Sequence, residues 1–160
     1  ARLVLVGKAL PGDRYAAHVR DAIRHAHLGN RVLLVEDATP AELQACYRAA
    51  HLFWSMSEHE GFCVPLVEAM WFDVPILAYR AAAVPETLGR AGILFREKRF
   101  PEVAALAHLL VKDNRLRQTV IRAERARRIE FLPSRTFAGL FRLLAAVGIR
   151  VSDSAVGLPS

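Results

Sequence analysis

The sequence predicts an α/β fold in which helices cover both faces of a parallel sheet, and three observations carry that expectation. Short apolar runs of strand length recur at residues 3–6, 31–35, 52–56 and 74–79, each separated from the next by a segment long enough for a helix. Parallel strands require such crossovers, of the usual right hand. At 160 residues, 53% of them hydrophobic, the chain can bury a core and is globular rather than disordered. Finally, the polar turn after the third run bears a glycine, and it sits where α/β sheets bind ligands.

Taken in order, residues 3–6 (LVLV) are fully apolar and read as a buried strand ending at Gly7-Lys8. Gly7 and Gly12 have the spacing of a phosphate loop. Asp13, however, stands where that motif needs lysine, no Ser or Thr follows, and GxGxxG is absent, so a simple ATPase or dehydrogenase has little support. Lys8 has two readings, a phosphate contact at a strand's carboxyl end or a surface lysine. Residues 13–27 form an amphipathic pattern with Tyr15, Val19, Ile23 and Leu28 near one face, which leaves His18, His25 and His27 facing solvent. Gly29-Asn30 stops that helix before the strand at 31–35.

Thr39-Pro40-Ala41-Glu42 marks a second helix start: Thr as cap, Pro at the first helical position, and Glu closing the box. After the run at 52–56, Pro65 opens a third helix, Asp73 stops it, and 74–79 is the next buried strand. Pro85-Glu86-Thr87 begins a further short helix, one that lines the ligand pocket in a structural rather than a chemical role. Beyond residue 95 only helices are expected: 101–112, then a basic helix to 129 capped by Asp113, then one capped by Ser134 and ending near Gly148. Residues 1–150 therefore read as one domain and 151–160 as a frayed tail.

Composition removes several function classes. The net charge is +6, but the arginines concentrate at 115–128 and no nucleic-acid recognition motif is present, so no nucleic-acid partner is expected. That run reads as a solvated helix face, or as one that meets anionic lipid headgroups at a membrane surface. No apolar run approaches the roughly 18 residues of a membrane span. Cys46 and Cys63 lack metal-ligand spacing and point to a reducing compartment, hence a cytoplasmic location. Without an initiator Met or a signal pattern, the start reads as a piece of something longer.

The most informative stretch is the turn and helix at 57–71. The amides of Gly61, Phe62, Cys63 and Val64 fall at or just before a helix N-terminus, unpaired and backed by the helix dipole. Gly61 lets backbone approach a ligand closely. Glu60 and Glu68 bracket the turn as acceptors suited to sugar or ribose hydroxyls. Amide donors between carboxylates suit a nucleotide-linked sugar.

These residues also carry a resemblance. S-E-H-E-G-F-C-V-P-L-V-E-A-M, with Pro75, Val84-Pro85-Glu86-Thr87 and Ala91-Gly92 downstream, resembles the E-x7-E motif of retaining GT-B glycosyltransferases of the GT4 type, in their C-terminal, donor-binding domain. The match runs from Leu3 to about Phe131. The resemblance implies a Rossmann-like sheet that lacks its first strand and helix, a segment that in the family carries an Arg and a Lys holding the donor diphosphate. Neither maps onto a residue of this chain.

By resemblance, Glu68 binds ribose hydroxyls. Glu60, the catalytic candidate, lies near the donor sugar or steadies charge at the anomeric carbon. Gly61, Phe62, Cys63 and Val64 offer amides, while the Phe62 ring anchors in the core. Ser57 caps the loop or touches phosphate, Glu58 and His59 are solvated, and Trp71 and Phe72 fill core or face a neighbouring domain. No metal and no cofactor are expected: the Asp-x-Asp pair of metal-dependent transferases is absent, and the nucleoside-diphosphate sugar is a substrate. The implied reaction is transfer with retention, in bacterial polysaccharide or lipopolysaccharide synthesis, with the acceptor on an N-terminal domain or chain and the enzyme cytoplasmic or peripheral on the inner face of the membrane. Two alternatives stay open, a non-catalytic partner or regulatory domain of the same fold and a sugar-nucleotide epimerase.

Overall fold

The structure, a computed structural model, describes residues 1–149 apart from 9 and 11. The expected tail at 151–160 lies outside the described residues. The chain groups into two compact units, Ala1–Ala50 and His51–Ser160. As the sequence predicts, strands and helices alternate and then give way to helices alone.

In the first unit, β1 (Leu3–Gly7) pairs in parallel with β2 (Val32–Glu36), Leu5 standing opposite Leu34. The connecting helix α1 (Arg14–His25) starts on Asp13, whose carboxylate accepts from the amides of Tyr15 and Ala16. Its stop comes earlier than the glycine suggests. His27 takes the left-handed conformation, φ 53°, and Leu28 N donates back to Ile23 O, so the helix is closed before Gly29 is reached. Tyr15 is 76% exposed and does not join the sheltered side, which is formed by Ala16, Val19 and Ile23. His18, His25 and His27 are exposed, as expected. Helix α2 (Pro40–Ala49) carries the full capping box: the Thr39 hydroxyl takes the Glu42 amide, and the Glu42 carboxylate takes the Thr39 amide.

One expectation fails here. Leu3, Val4, Leu5 and Val6 form the strand but are 37–46% exposed rather than buried. Hydropathy selects extended backbone for such a run; burial depends on what lies against it, and α1 has no buried residue to offer.

The second unit holds the core. Its sheet is β3 (Phe53–Ser55), β4 (Ile76–Tyr79) and β5 (Ile93–Phe95), all parallel, with β4 in the middle. A central strand is sheltered on both edges and both faces, and Ile76, Leu77 and Ala78 are fully buried. Between β3 and β4 runs α3 (Val64–Trp71), and between β4 and β5 runs α4 (Val84–Leu88). Three further helices follow, α5 (Phe100–Lys112), α6 (Asn114–Arg128) and, after a single 3₁₀ turn at Ile129–Phe131, α7 (Pro133–Ala146). Leu77 and Phe95 of the sheet cluster with Val103, Ala107 and Leu110 of α5 and Val120 of α6. Asp113 caps α6 as read, accepting from Leu116 N at 2.9 Å. Ser134 does not cap α7. The chain enters that helix at Leu132-Pro133, and Pro133 at the first position presets the backbone without a side-chain cap.

The last three arginines of α6 are engaged rather than solvated, while Arg115 and Arg122 are exposed as the solvated-face reading expects. Arg125 grips Asp73 through Nε at 2.8 Å and Nη2 at 2.7 Å. Arg128 reaches Met70 O at 2.9 Å and Asp73 at 3.1 Å, with its guanidinium over the Trp71 ring. Arg127 donates to Thr87 O at 3.0 Å and to Glu86 O at 2.7 Å. Three basic side chains thus close the last turns of α3 and α4, where free carbonyls and the negative end of the helix dipole favour them. Trp71 packs under this guanidinium and remains 43% exposed rather than filling core.

Candidate functional site

The turn between β3 and α3 is built by three local features. Leu52 to Ser55 runs out of the sheet, and Ser55 is already buried at its edge. Cys63 then takes the left-handed conformation at φ 63°, ψ 64°, which reverses the chain immediately before the helix. Val64 and Pro65 start α3 with no side-chain cap; of the first turn's donors Leu66 N bonds back to Cys63 O, while Val64 N has no backbone acceptor among the described residues. At the far end Asp73, φ 56°, breaks the helix as its residue type suggests, with the two arginines holding its carboxyl below the usual range.

The bend is open. Gly61, Phe62, Val64 and Pro65 are exposed, and Glu60, Ser57 and Glu68 are half-buried. Among the described residues, the amides of Gly61, Phe62, Cys63 and Val64 donate no backbone hydrogen bond, whereas three carbonyls of the same turn, those of Glu60, Phe62 and Cys63, are occupied. Ala83 N donates to Glu60 O at 3.3 Å, the Thr87 hydroxyl to Phe62 O, and Leu66 N to Cys63 O at 3.0 Å. Acceptors are therefore spent inward on α4 and on the start of α3, while donors are left over. That asymmetry is what an anionic ligand requires.

Individual side chains depart from expectation in two places. The Phe62 ring is not a core anchor: it is 46% exposed and meets Phe131 edge-on, centroids 5.5 Å apart. Glu58 is not simply solvated, since it pairs with Lys98, whose ammonium also lies over the Tyr79 ring at 4.7 Å; that hydrogen bond and charge hold the Glu58 carboxyl below its ordinary value. His59 is exposed as expected. Cys63 is buried, and burial followed by the neighbouring Glu60 carboxylate pushes its thiol up to about 11. The thiol therefore stays neutral at physiological pH. Lys8 is exposed beyond the end of β1, in the first unit, while every other candidate belongs to the second.

One polar group, Thr87, was read only as part of a helix start lining the pocket, and a second, Glu124, escaped the sequence reading. Thr87 is 2% exposed and reaches across to the turn. Glu124 is fully buried on α6; one carboxyl oxygen accepts from Ile76 N at 2.9 Å, the other has no partner among the described residues, and burial pushes its pKa up to about 8. Its position was visible in principle, because it continues the apolar stripe of Val120 and Ile121 one turn on. Among the described residues no group of three or more His, Cys, Asp or Glu is arranged to hold a metal ion, and no helix is long and apolar enough to cross a membrane.

Comparison with known proteins bears on this arrangement. The family model described as glycosyl transferases group 1 matches residues 1–127. The N-acetyl-alpha-D-glucosaminyl L-malate synthase of Bacillus anthracis is 32% identical over 130 residues, which is 79% of this chain and 32% of that protein. Among solved structures, Anabaena HepE in complex with UDP-glucose superposes with a TM-score of 0.70 at 25% identity, covering 79% of this chain and 35% of that one. The C-terminal domain of the glycosyl transferase group 1 family protein LpcC from Francisella tularensis gives 0.66 at 25% identity over 79% of this chain and 67% of that one. The chain thus spans about a third of the length of the first two of these relatives.

Proposed function

The chain belongs to the glycosyl transferases group 1 family, and from that premise we propose that it is the donor-binding part of a GT-B enzyme that moves a sugar from a nucleoside-diphosphate sugar to an acceptor. One observation carries the reading: an open bend before α3 whose amides are unpaired among the described residues while the carbonyls of Glu60, Phe62 and Cys63 are engaged. The relation to HepE, whose structure contains UDP-glucose, supports a nucleotide-sugar donor of this type.

The division of labour follows from the chemistry of the turn. The amides of Gly61, Phe62, Cys63 and Val64, with the α3 dipole behind them, take the negative charge that grows on the departing diphosphate. Glu68, in the second turn of α3, accepts from ribose hydroxyls. Glu60 contacts the sugar hydroxyls or steadies positive charge at the anomeric carbon, and Ser57 contributes a hydroxyl at the mouth of the turn. Transfer proceeds with retention and without a metal ion, the leaving phosphate assisting deprotonation of the acceptor. The acceptor binds an N-terminal domain or chain, and bacterial polysaccharide or lipopolysaccharide synthesis on the cytoplasmic side is the setting, whether free or peripheral on an anionic membrane. These last points rest on the family resemblance and the basic charge.

Titration of the ¹⁵N-labelled chain with UDP tests the reading. Amides between Ser57 and Met70 shift, and Glu68→Ala weakens binding about tenfold, as expected for a lost hydrogen-bond acceptor facing two hydroxyls. An unchanged spectrum in that stretch sinks the donor site. Unchanged affinity in the variant favours a non-catalytic domain of the same fold.

A further inference from the structure

We propose that Thr87 is a positioning residue for the donor turn: its hydroxyl, by holding the Phe62 carbonyl, turns the Cys63 amide outward toward the diphosphate. The inference rests on the donor-site reading above and goes past it, to a side chain that touches no donor.

The argument is one of peptide geometry. The Phe62 carbonyl and the Cys63 N–H belong to one planar trans peptide unit, in which the two bonds point in opposite directions. Thr87 Oγ1 donates to that carbonyl at 2.5 Å from a side chain that is 2% exposed, so the carbonyl faces the interior and the Cys63 N–H faces the open side of the bend. The neighbouring plane is handled alike. Ala83 N, at the start of α4, donates to Glu60 O at 3.3 Å, and the Gly61 N–H of that unit is thereby aimed away from α4. Two alternate peptide planes of the turn are pinned from behind by one short helix.

Thr87 is itself held. A threonine hydroxyl in a helix ordinarily falls back on its own i−4 carbonyl, as those of Thr119 and Thr136 do here; the Thr87 hydroxyl crosses 25 positions of sequence instead. Arg127 clamps the Thr87 and Glu86 carbonyls and lies over the Phe131 ring at 4.9 Å, and Phe131 meets the Phe62 ring. Arg127, Thr87, Phe62 and Phe131 therefore close a ring of contacts around the peptide that carries the Cys63 amide. An amide whose direction is fixed in advance binds an anion without a further ordering cost.

The test separates diphosphate from nucleoside. In NMR titrations of the intact chain, Thr87→Val, which keeps shape and removes the hydroxyl, weakens UDP about tenfold and leaves uridine binding, read at the Glu68 amide, unchanged. Thr87→Ser restores UDP affinity to within about twofold. Should the valine variant fold poorly, Arg127→Lys, which keeps the charge but loses the two-pronged hold, lowers UDP affinity in the same selective way. Equal loss of UDP and uridine, or no loss of either, overturns the proposal while leaving the donor site standing. A wild-type chain whose residues 57–70 ignore UDP overturns the donor site first, and this inference with it.

Discussion

The two halves of the molecule treat hydrophobicity in opposite ways. In the first unit the most apolar strand of the chain, Leu3 to Val6, is more than a third exposed at every residue. In the second, a carboxylic acid, Glu124, has no exposed surface at all. Side-chain chemistry does not explain the inversion; position does. β4 has strands on both edges and helices α5 and α6 packed against its unit's core, whereas β1 has a single strand partner and a helix with no buried residue. Burial is a property of neighbours, and an acid is carried inside when its helix supplies the stripe that the core needs.

The sharpest way to break this comparison is a pair of identical truncations. Leu77→Ala on β4 should cost about 2–5 kcal/mol in chemical denaturation, because a fully buried methyl cluster leaves a cavity. Leu5→Ala on β1 should cost below about 1 kcal/mol. Equal costs would mean that exposure in the first unit says nothing about its packing.

The next effect sharpens the other pole. The Glu124 carboxyl titrates near 8 in the folded chain and at the ordinary 4.5 when unfolded. Between those values the folded state keeps a proton that the unfolded state has released, so this group's stabilising contribution is fully present below about pH 4.5 and is lost as pH rises through about 8. Glu124→Gln keeps an acceptor for Ile76 N and removes the charge. Thermal melts should therefore show the wild type losing stability from pH 5 to pH 9, by a few kcal/mol at most, against a flatter profile for the variant. Parallel profiles would show that the acid stays ionised inside.

The smallest effect should erase the contrast. Thr39→Ala in the first unit and Asp113→Ala in the second each remove a helix cap, and each should cost about 1 kcal/mol. Capping is local chemistry, indifferent to how well the surrounding unit is packed. A threefold disparity between the two would show that it is not.

The same distinction sorts what the sequence could reveal. The Thr39 box, the Asp113 cap and the left-handed stop at Asp73 follow from residues within one turn of each other, and they appear where read. So does the order of strands and helices, which periodicity sets. The exposure of residues 3–6, the edge-on Phe62, the three engaged arginines at the end of α6 and the Ile76 partner of Glu124 depend on groups roughly 30 to 70 positions away, and no local pattern encodes them. The turn at 57–64 is legible as an open, glycine-bearing bend because its conformation is local. That Thr87, legible only as part of a helix start lining the pocket, holds it from 25 residues downstream is not.

The buried thiol at the turn has a practical consequence. With its proton leaving only near pH 11, Cys63 offers almost no nucleophile to maleimide or iodoacetamide at neutral pH, and its burial blocks the approach as well. Cys46, on α2 and half-buried, is the other cysteine of the chain. A fluorophore or spin label should therefore attach there alone, giving an optical or magnetic reporter in the first unit that leaves the turn before α3 chemically untouched.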